Sequence, residues 1–416
     1  MTQNSGRGLT PLLAGLAMFG PFSIDTMFPA FAVIAAEFGA SDWAMQQTLS
    51  IYLIAYAFMS LFHGPLSDAR GRRVVVLVGV GLFSLASIGC ALAGSIEMLL
   101  IFRALQGICA GAGLIVGRAI IRDLFEGAAA QRLMSNISMM FTMAPAIAPI
   151  IGGWVLGLGH WRWIFWFLAL WSGLLLVASF ALLPETHPPE RRLPLSLSSL
   201  AQGYLRMMRD AHFWPLAIGG TANFSALFVY IASAPAFVVN LLGLGPQQFA
   251  WLFVPAVSGM FFGALLSSRL AGRASAAHTV GAGYAIMLAA TAFNVALAFM
   301  LPHAMIPWSL IPIGVHAIGI SLSFPTMTLL LLDRFPTQRG GVSSMQAFVS
   351  LVFNAILAGA IVIHLSDSPR KLALASALLT VAGFVAWRVY RKRAKSALAA
   401  HCAAGPGELR EEAEPL

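Results

Sequence analysis

Asp25 stands in an unusual setting for a carboxylate. It lies inside an apolar run from residue 9 to about residue 38, and no other Asp or Glu falls well inside any apolar stretch of the chain. At a bilayer centre an ionised side chain costs roughly 2.5–3.5 kcal/mol on insertion scales, and burial disfavours the charged form. A carboxylate poised between its two forms can take a proton from one side of a membrane and release it to the other. The structural alternative is a hydrogen bond to a neighbouring helix. Arg103 is the second such residue: it lies about one turn inside another apolar run and keeps its charge at physiological pH. It shares a helical face with Gly107, Ala110 and Leu114, and Gln106 lies beside it. Arg103 is therefore a fixed positive charge held within a span, or a side chain snorkelling toward the interface near Glu97.

The elements that must position these residues follow from composition. Of 416 residues, 59% are apolar and 10% charged, with a mean hydropathy of +0.82. Soluble domains carry roughly 25% charged residues, so most of this chain cannot face water. One helix needs about 20 apolar residues to cross a bilayer. Breaking the sequence at charges, Gly/Pro clusters and polar turns predicts twelve spans, at 10–36, 45–66, 74–94, 97–118, 133–157, 161–183, 213–240, 247–269, 277–300, 304–332, 341–365 and 371–390. The expected fold class is an all-α polytopic membrane protein. It has a six-helix half over 1–183, a linker over 184–212, a second six-helix half over 213–393 and a disordered tail over 394–416. Within the linker, residues 197–209 have the mixed apolar and basic pattern of a helix lying on a membrane surface.

The net charge of +9 would suggest nucleic acid in a soluble protein. Here the basic residues cluster in alternate loops, with Arg70, Arg72, Arg73, Arg122, Arg191, Arg192, Arg269, Arg273 and Arg339 on one side. Only Arg162, Arg370 and Lys371 fall on the other. By the positive-inside bias both termini and the linker face the cytoplasm. The first apolar run is too long for a signal-peptide core and reads as a retained span. Cys90, Cys109 and Cys402 support neither a disulfide framework nor a metal site, and nothing matches a nucleotide-binding loop. No metal, cofactor or nucleic acid is expected. His63, His316 and His364 read as packing residues.

Four short motifs then occur in order. The loop after the second span reads Gly64-Pro65-Leu66-Ser67-Asp68-Ala69-Arg70-Gly71-Arg72-Arg73. It resembles the loop signature of the major facilitator superfamily, departing at Ala69, where the family usually has arginine. The fourth span carries Arg103 through Gly107, followed by Gly111 and Gly113. The fifth carries Pro145 and then Ala148-Pro149-Ile150-Ile151-Gly152-Gly153, similar to the antiporter motif with alanine in its first place. The first carries Asp25 and Pro29, similar to the D-x-x-x-P of drug–proton antiporters. The stretches Arg118–Asp123, Trp161–Phe165 and Leu183-Pro184-Glu185-Thr186 further resemble the bicyclomycin-resistance and chloramphenicol-exporter (Bcr/CflA) subfamily. Residues 269–273 are a degenerate echo of the loop signature.

The resemblance implies a monomeric transporter rather than an enzyme. It would be a proton-coupled antiporter in a bacterial inner membrane, exporting small, lipophilic or drug-like molecules by alternating access. Asp25 and Arg103 would carry proton coupling, with no second acid because Ala17 occupies its place. Gly64, Asp68, Gly71, Arg72, Arg73 and Asp123 would form a conformational latch. In it Asp68 caps the start of the eleventh span near Gly340 and Arg72 pairs with Asp123. Pro145, Pro149, Gly152 and Gly153 would shape a bent, closely packed fifth span. Met18, Phe22, Gln106, Met139, Met143, Asn223 and Tyr230 are candidates for the substrate cavity, methionine being adaptable in shape. The rival readings are a dedicated exporter of one metabolite, such as an amino acid, and an uptake symporter. A membrane sensor would need a signalling domain.

Overall fold

The computed structural model describes residues 6–192, 194–336 and 338–403. Twelve helices are long and apolar enough to cross a membrane, and no strand occurs among the described residues. Spans 1 to 6 are Gly8–Phe38, Asp42–Arg70, Arg72–Ala91, Ile96–Leu124, Gly127–Gly157 and Arg162–Leu182. The linker helix is Leu197–Arg209. Spans 7 to 12 are Phe213–Ala232, Ala250–Leu270, Ala276–Met300, Ile311–Arg334, Arg339–His364 and Pro369–Ser396. The even count leaves both ends of the chain on one side, called here the terminal side; the other is the far side.

Local chemistry sets several boundaries. Ser41, Ser95 and Ser275 cap spans 2, 4 and 9, each accepting a backbone N–H three residues on, which satisfies an otherwise orphaned donor. Gly71 turns the chain between spans 2 and 3 at φ +100°, a left-handed conformation that favours glycine. Five boundaries depart from expectation by six residues or more. Span 4 runs on to Leu124 rather than 118, and span 5 begins at Gly127 rather than 133. Span 7 ends at Ala232, and 236–241 form a separate π-helical turn. Span 10 begins at Ile311 rather than 304. The last helix continues past 393 to Ala403, and 404–416 lie outside the described residues.

Span 1 is not a continuous helix. Its first part, Gly6–Asp25, stops at the carboxylate; Thr26 and Met27 form a turn; a 3-10 turn at Phe28–Ala30 leads into Phe31–Phe38. Pro29 has no N–H to continue the helical ladder. Asp25 is thereby set at a break in the backbone pattern.

Spans close up where glycine meets a carbonyl. A side chain at Gly107 would strike the Tyr52 carbonyl, and one at Gly113 the Leu16 carbonyl. In the second half Gly259 meets Gly314 and Gly263 meets Ile318 in the same manner, the small-residue packing usual where helices cannot rely on water for association. Large apolar side chains such as Leu85, Ile101, Leu170, Val177 and Leu378 face outward, as a lipid-facing perimeter requires.

The halves meet toward the far end. Gln46 donates to the Ala232 carbonyl at 3.2 Å, Gln47 to Gly359 at 2.8 Å and Ser50 to Ala355 at 2.8 Å. Phe28 stacks on Phe253. Nearer the terminal side the linker helix joins the halves: Tyr204 donates to the Leu61 carbonyl at 2.8 Å, and buried Met207 packs against Gly341.

Candidate functional site

Asp25 is the only carboxylate classed as buried among the described residues, 4% exposed. No hydrogen bond or ion pair to its carboxylate occurs among those residues, although Arg103 is near enough to interact electrostatically. Arg103 is wholly buried, so it does not snorkel. Its Nε donates to the Thr48 carbonyl at 3.2 Å. Its Nη1 donates to the Ser23 carbonyl at 3.0 Å and to Gln106 Oε1 at 2.8 Å. The guanidinium lies over the Tyr52 ring, 4.5 Å from the centroid, a favourable position for a desolvated cation. Among the described residues Nη2 has no hydrogen-bond partner, and a buried unmade hydrogen bond is costly.

These contacts link four spans. Gln106 passes the connection to Ser87 on span 3 at 2.8 Å, while Tyr52 on span 2 donates to the Gly20 carbonyl on span 1 at 3.0 Å. Thr48, which Arg103 holds, lies between Gln47 and Ser50, which bond the opposite half. The buried cation is thus one residue away from the seam between halves. Span 5 approaches the same place. A side chain at Gly152 would fall on the Thr26 carbonyl, next to Asp25, and one at Gly153 on the backbone of 246–247 in the other half. Pro145 and Pro149 sit inside a helix that runs continuously from Gly127 to Gly157.

The loop signature folds into a network within the first half. Arg72 forms an ion pair with Asp68, bonds Asp123 Oδ2 from Nε at 3.2 Å and donates to the Ser67 hydroxyl at 2.6 Å. Arg73 donates to the Phe180 carbonyl at 2.7 Å and lies over the Phe180 ring. The expected contact of Asp68 with the start of span 11 is not made. Nothing approaches the Cβ positions of Gly64 or Gly340, and Asp68 pairs with Arg72 instead.

The profile of the Major Facilitator Superfamily matches residues 13–363. The chain belongs to that superfamily. Within it the chain is similar to the Bicyclomycin resistance protein homolog of Haemophilus influenzae, 28% identical over 82% of this chain and 85% of the relative. It is 31% identical to the MFS-type transporter YdgK of Bacillus subtilis over 83% and 86%, and 27% identical to Multidrug resistance protein D of Escherichia coli over 86% and 89%. Among solved structures it resembles a bacterial homologue of the human lysosomal transporter Spinster, with a TM-score of 0.72, 17% identity and coverage of 95% and 98%. The D-xylose–proton symporter shares the fold at TM-score 0.69 and 16% identity, over 90% and 96%. This major facilitator protein is a multi-pass membrane transporter and not an enzyme.

The superfamily member does not gather its candidate cavity residues into one pocket. Phe22 and Met18 pack with Ala144, Ala148 and Phe167 inside the first half, and Phe22 stacks on Trp171. Met139 and Met143 are exposed. Gln106 is spent on Arg103 and Ser87. Asn223 donates to Tyr284 at 3.0 Å, while Tyr230 accepts from Asn294 at 2.7 Å; the two share a span but face different neighbours. His63 and His316 are buried, the latter 2.9 Å from the Thr380 hydroxyl.

Sequence reasoning missed two further partners in the loop-signature network. Glu185 accepts the Arg72 backbone N–H at 3.0 Å, capping span 3, and Thr186 donates to Asp123 at 2.8 Å. A side chain at Gly71 would strike Glu185 and Arg192. The run Leu183-Pro184-Glu185-Thr186 was the available signal, since an acid and a hydroxyl just after a span suit a helix N-terminus. Ser23, Thr48 and Tyr52 carried no signal, because two of them act through backbone carbonyls.

Proposed function

We propose that this transporter is a proton-coupled exporter of small drug-like molecules, working by alternating access in a bacterial inner membrane with both termini cytoplasmic. The observation that carries the reading is the buried, unpaired Asp25 carboxylate at the break in span 1, beside an Arg103 with one nitrogen unsatisfied. Loss of the proton from Asp25 creates an anion that attracts Nη2. The same guanidinium grips the Ser23 and Thr48 carbonyls, so that attraction acts on spans 1 and 2 together. Gln46, Gln47 and Ser50 then transmit the shift to the far-side seam. Protonation releases Arg103 and restores the present arrangement.

The names of the relatives, bicyclomycin resistance and multidrug resistance proteins, support export of such compounds. A single acid balanced by one fixed cation favours neutral or zwitterionic substrates over dications. A proton moving down 100 mV supplies roughly 2.3 kcal/mol, which sustains a gradient of about 50-fold at 1.4 kcal/mol per decade.

The test uses inverted vesicles energised to an acid interior, with bicyclomycin and chloramphenicol as neutral probes. Addition of either probe to the wild type should release protons from the lumen, and the Asp25→Asn chain should release none. Full proton release by that variant would overturn the carrier assignment. A deletion strain with unchanged resistance to a broad compound panel would instead favour a dedicated metabolite exporter.

A further inference from the structure

The second half contains a cavity of about 280 Å³ on the far side, bounded by spans 7 and 9 and by the loops after spans 9 and 11. Its size is near the lower end of small-molecule sites. It is separate from Asp25 and Arg103, and none of its lining residues is acidic.

Its floor is polar and buried. Asn294 donates to the Tyr230 oxygen at 2.7 Å, and both residues are over nine-tenths buried. Among the described residues the Tyr230 O–H finds no acceptor of its own, so it remains a donor facing the cavity. Phe237 and Leu297 supply apolar wall, and His303 and Arg370 stand at the mouth.

Arg370 is the informative residue. The far side carries few cations, and the positive-inside bias makes each one unfavourable there. Arg162 is paired with Glu37 at 2.5 Å and Lys371 with Asp367 at 2.6 Å. Among the described residues Arg370 has no carboxylate. Its Nε donates to the Ala298 carbonyl at 3.2 Å and its guanidinium lies over Phe299, which fixes the group while leaving both terminal nitrogens unengaged. An immobilised guanidinium with two free nitrogens is suited to bidentate capture of a carboxylate.

We propose that this cavity binds a small organic carboxylate with an apolar body. Its anionic group meets Arg370, its body lies against Phe237 and Leu297, and an acceptor atom at its inner end takes the Tyr230 O–H. The site is distinct from the central one and does not rest on proton coupling.

The probe is 4-hydroxybenzoate, with 4-hydroxybenzamide as its uncharged counterpart, bound to the detergent-purified full chain and followed by saturation-transfer NMR. Wild type should bind the acid saturably and at least about tenfold more tightly than the amide, as expected for a charge-assisted contact. Arg370→Gln should remove that preference. Tyr230→Phe should weaken the acid about threefold or more, the worth of one neutral hydrogen bond. Ser368→Phe, which fills the cavity from its loop, should abolish binding without altering any charge. Asp25→Asn should bind the acid as the wild type does. No saturable binding, equal affinity for acid and amide, binding unaffected by both Arg370→Gln and Ser368→Phe, or loss in Asp25→Asn would each overturn the proposal.

Discussion

The two sets of six spans in this transporter divide its chemistry unequally. The first half buries a carboxylate and a guanidinium and binds its loop signature with Asp68, Asp123 and Glu185 around Arg72. The second half holds its buried polar groups in neutral pairs: Asn223 with Tyr284, Ser225 with Asn354, Tyr230 with Asn294 and His316 with Thr380. The loops after spans 2 and 8 show the division at closest range. Both turn on a left-handed glycine, Gly71 at φ +100° and Gly272 at φ +74°. Around Gly71 the carboxylate of Glu185 crowds in, whereas nothing approaches Gly272. The turn is kept in both halves and the ionic network in one. Backbone geometry needs only glycine, while a charge network needs acids that residues 269–273 lack.

Breaking the charged pair should give the largest effect. Asp25→Asn and Arg103→Gln are each expected to reduce probe-driven proton release to background. The asparagine variant should retain the wild-type melting temperature more nearly than Arg103→Gln, which strands the Ser23 and Thr48 carbonyls. Removing one member of a buried charged network typically costs about 3–5 kcal/mol. Equal coupling in either variant would erase the contrast between the halves.

Next comes the span 1–span 5 contact. Gly152→Val places side-chain atoms on the Thr26 carbonyl, and overpacking of this kind costs about 1–3 kcal/mol or more. Transport should fall sharply, with a lowered melting temperature. Gly272→Ala, facing open space, should cost only about 1–2 kcal/mol, from its left-handed backbone conformation alone.

The loop comparison is sharpened by arginine removal. Arg72→Ala should lower stability by roughly 1–3 kcal/mol, the usual cost of leaving charged partners unsatisfied. Arg273→Ala should stay within about 0.5 kcal/mol, as read by thermal unfolding in detergent. The smallest effect is expected at the neutral pairs. His316→Asn should lose about 1 kcal/mol of stability and leave proton release intact; loss of coupling there would give the second half a share in proton movement.

Much of the fold was legible because membrane insertion favours apolar side chains and penalises charged ones wherever they fall in the chain. Twelve apolar runs with a six-plus-six division emerge from hydropathy, and the serine caps and Gly71 mark boundaries by local chemistry. The boundaries that moved most lie where apolar residues continue outside the helix, at spans 7 and 10, or where the helix continues through polar and basic residues, at spans 4, 5 and 12. Asp25 and Arg103 were visible because charge inside an apolar run is costly.

What the sequence determined by itself is the set of spans, the rarity of Asp25 and the superfamily motifs, since each is a property of residue type against a low-dielectric background. Tertiary structure alone decided what those groups touch. Asp25 and Arg103 form no direct salt bridge. Arg103 instead grips backbone carbonyls, which every residue possesses and no sequence pattern can flag. Asp68 turns to Arg72 rather than to span 11, and the methionines and aromatics of the expected cavity are dispersed. Side-chain partners depend on how helices rotate and approach, and glycine–carbonyl contacts at Gly107, Gly113 and Gly152 set that approach. Those contacts bring residues distant in the chain together, and the site is made by them.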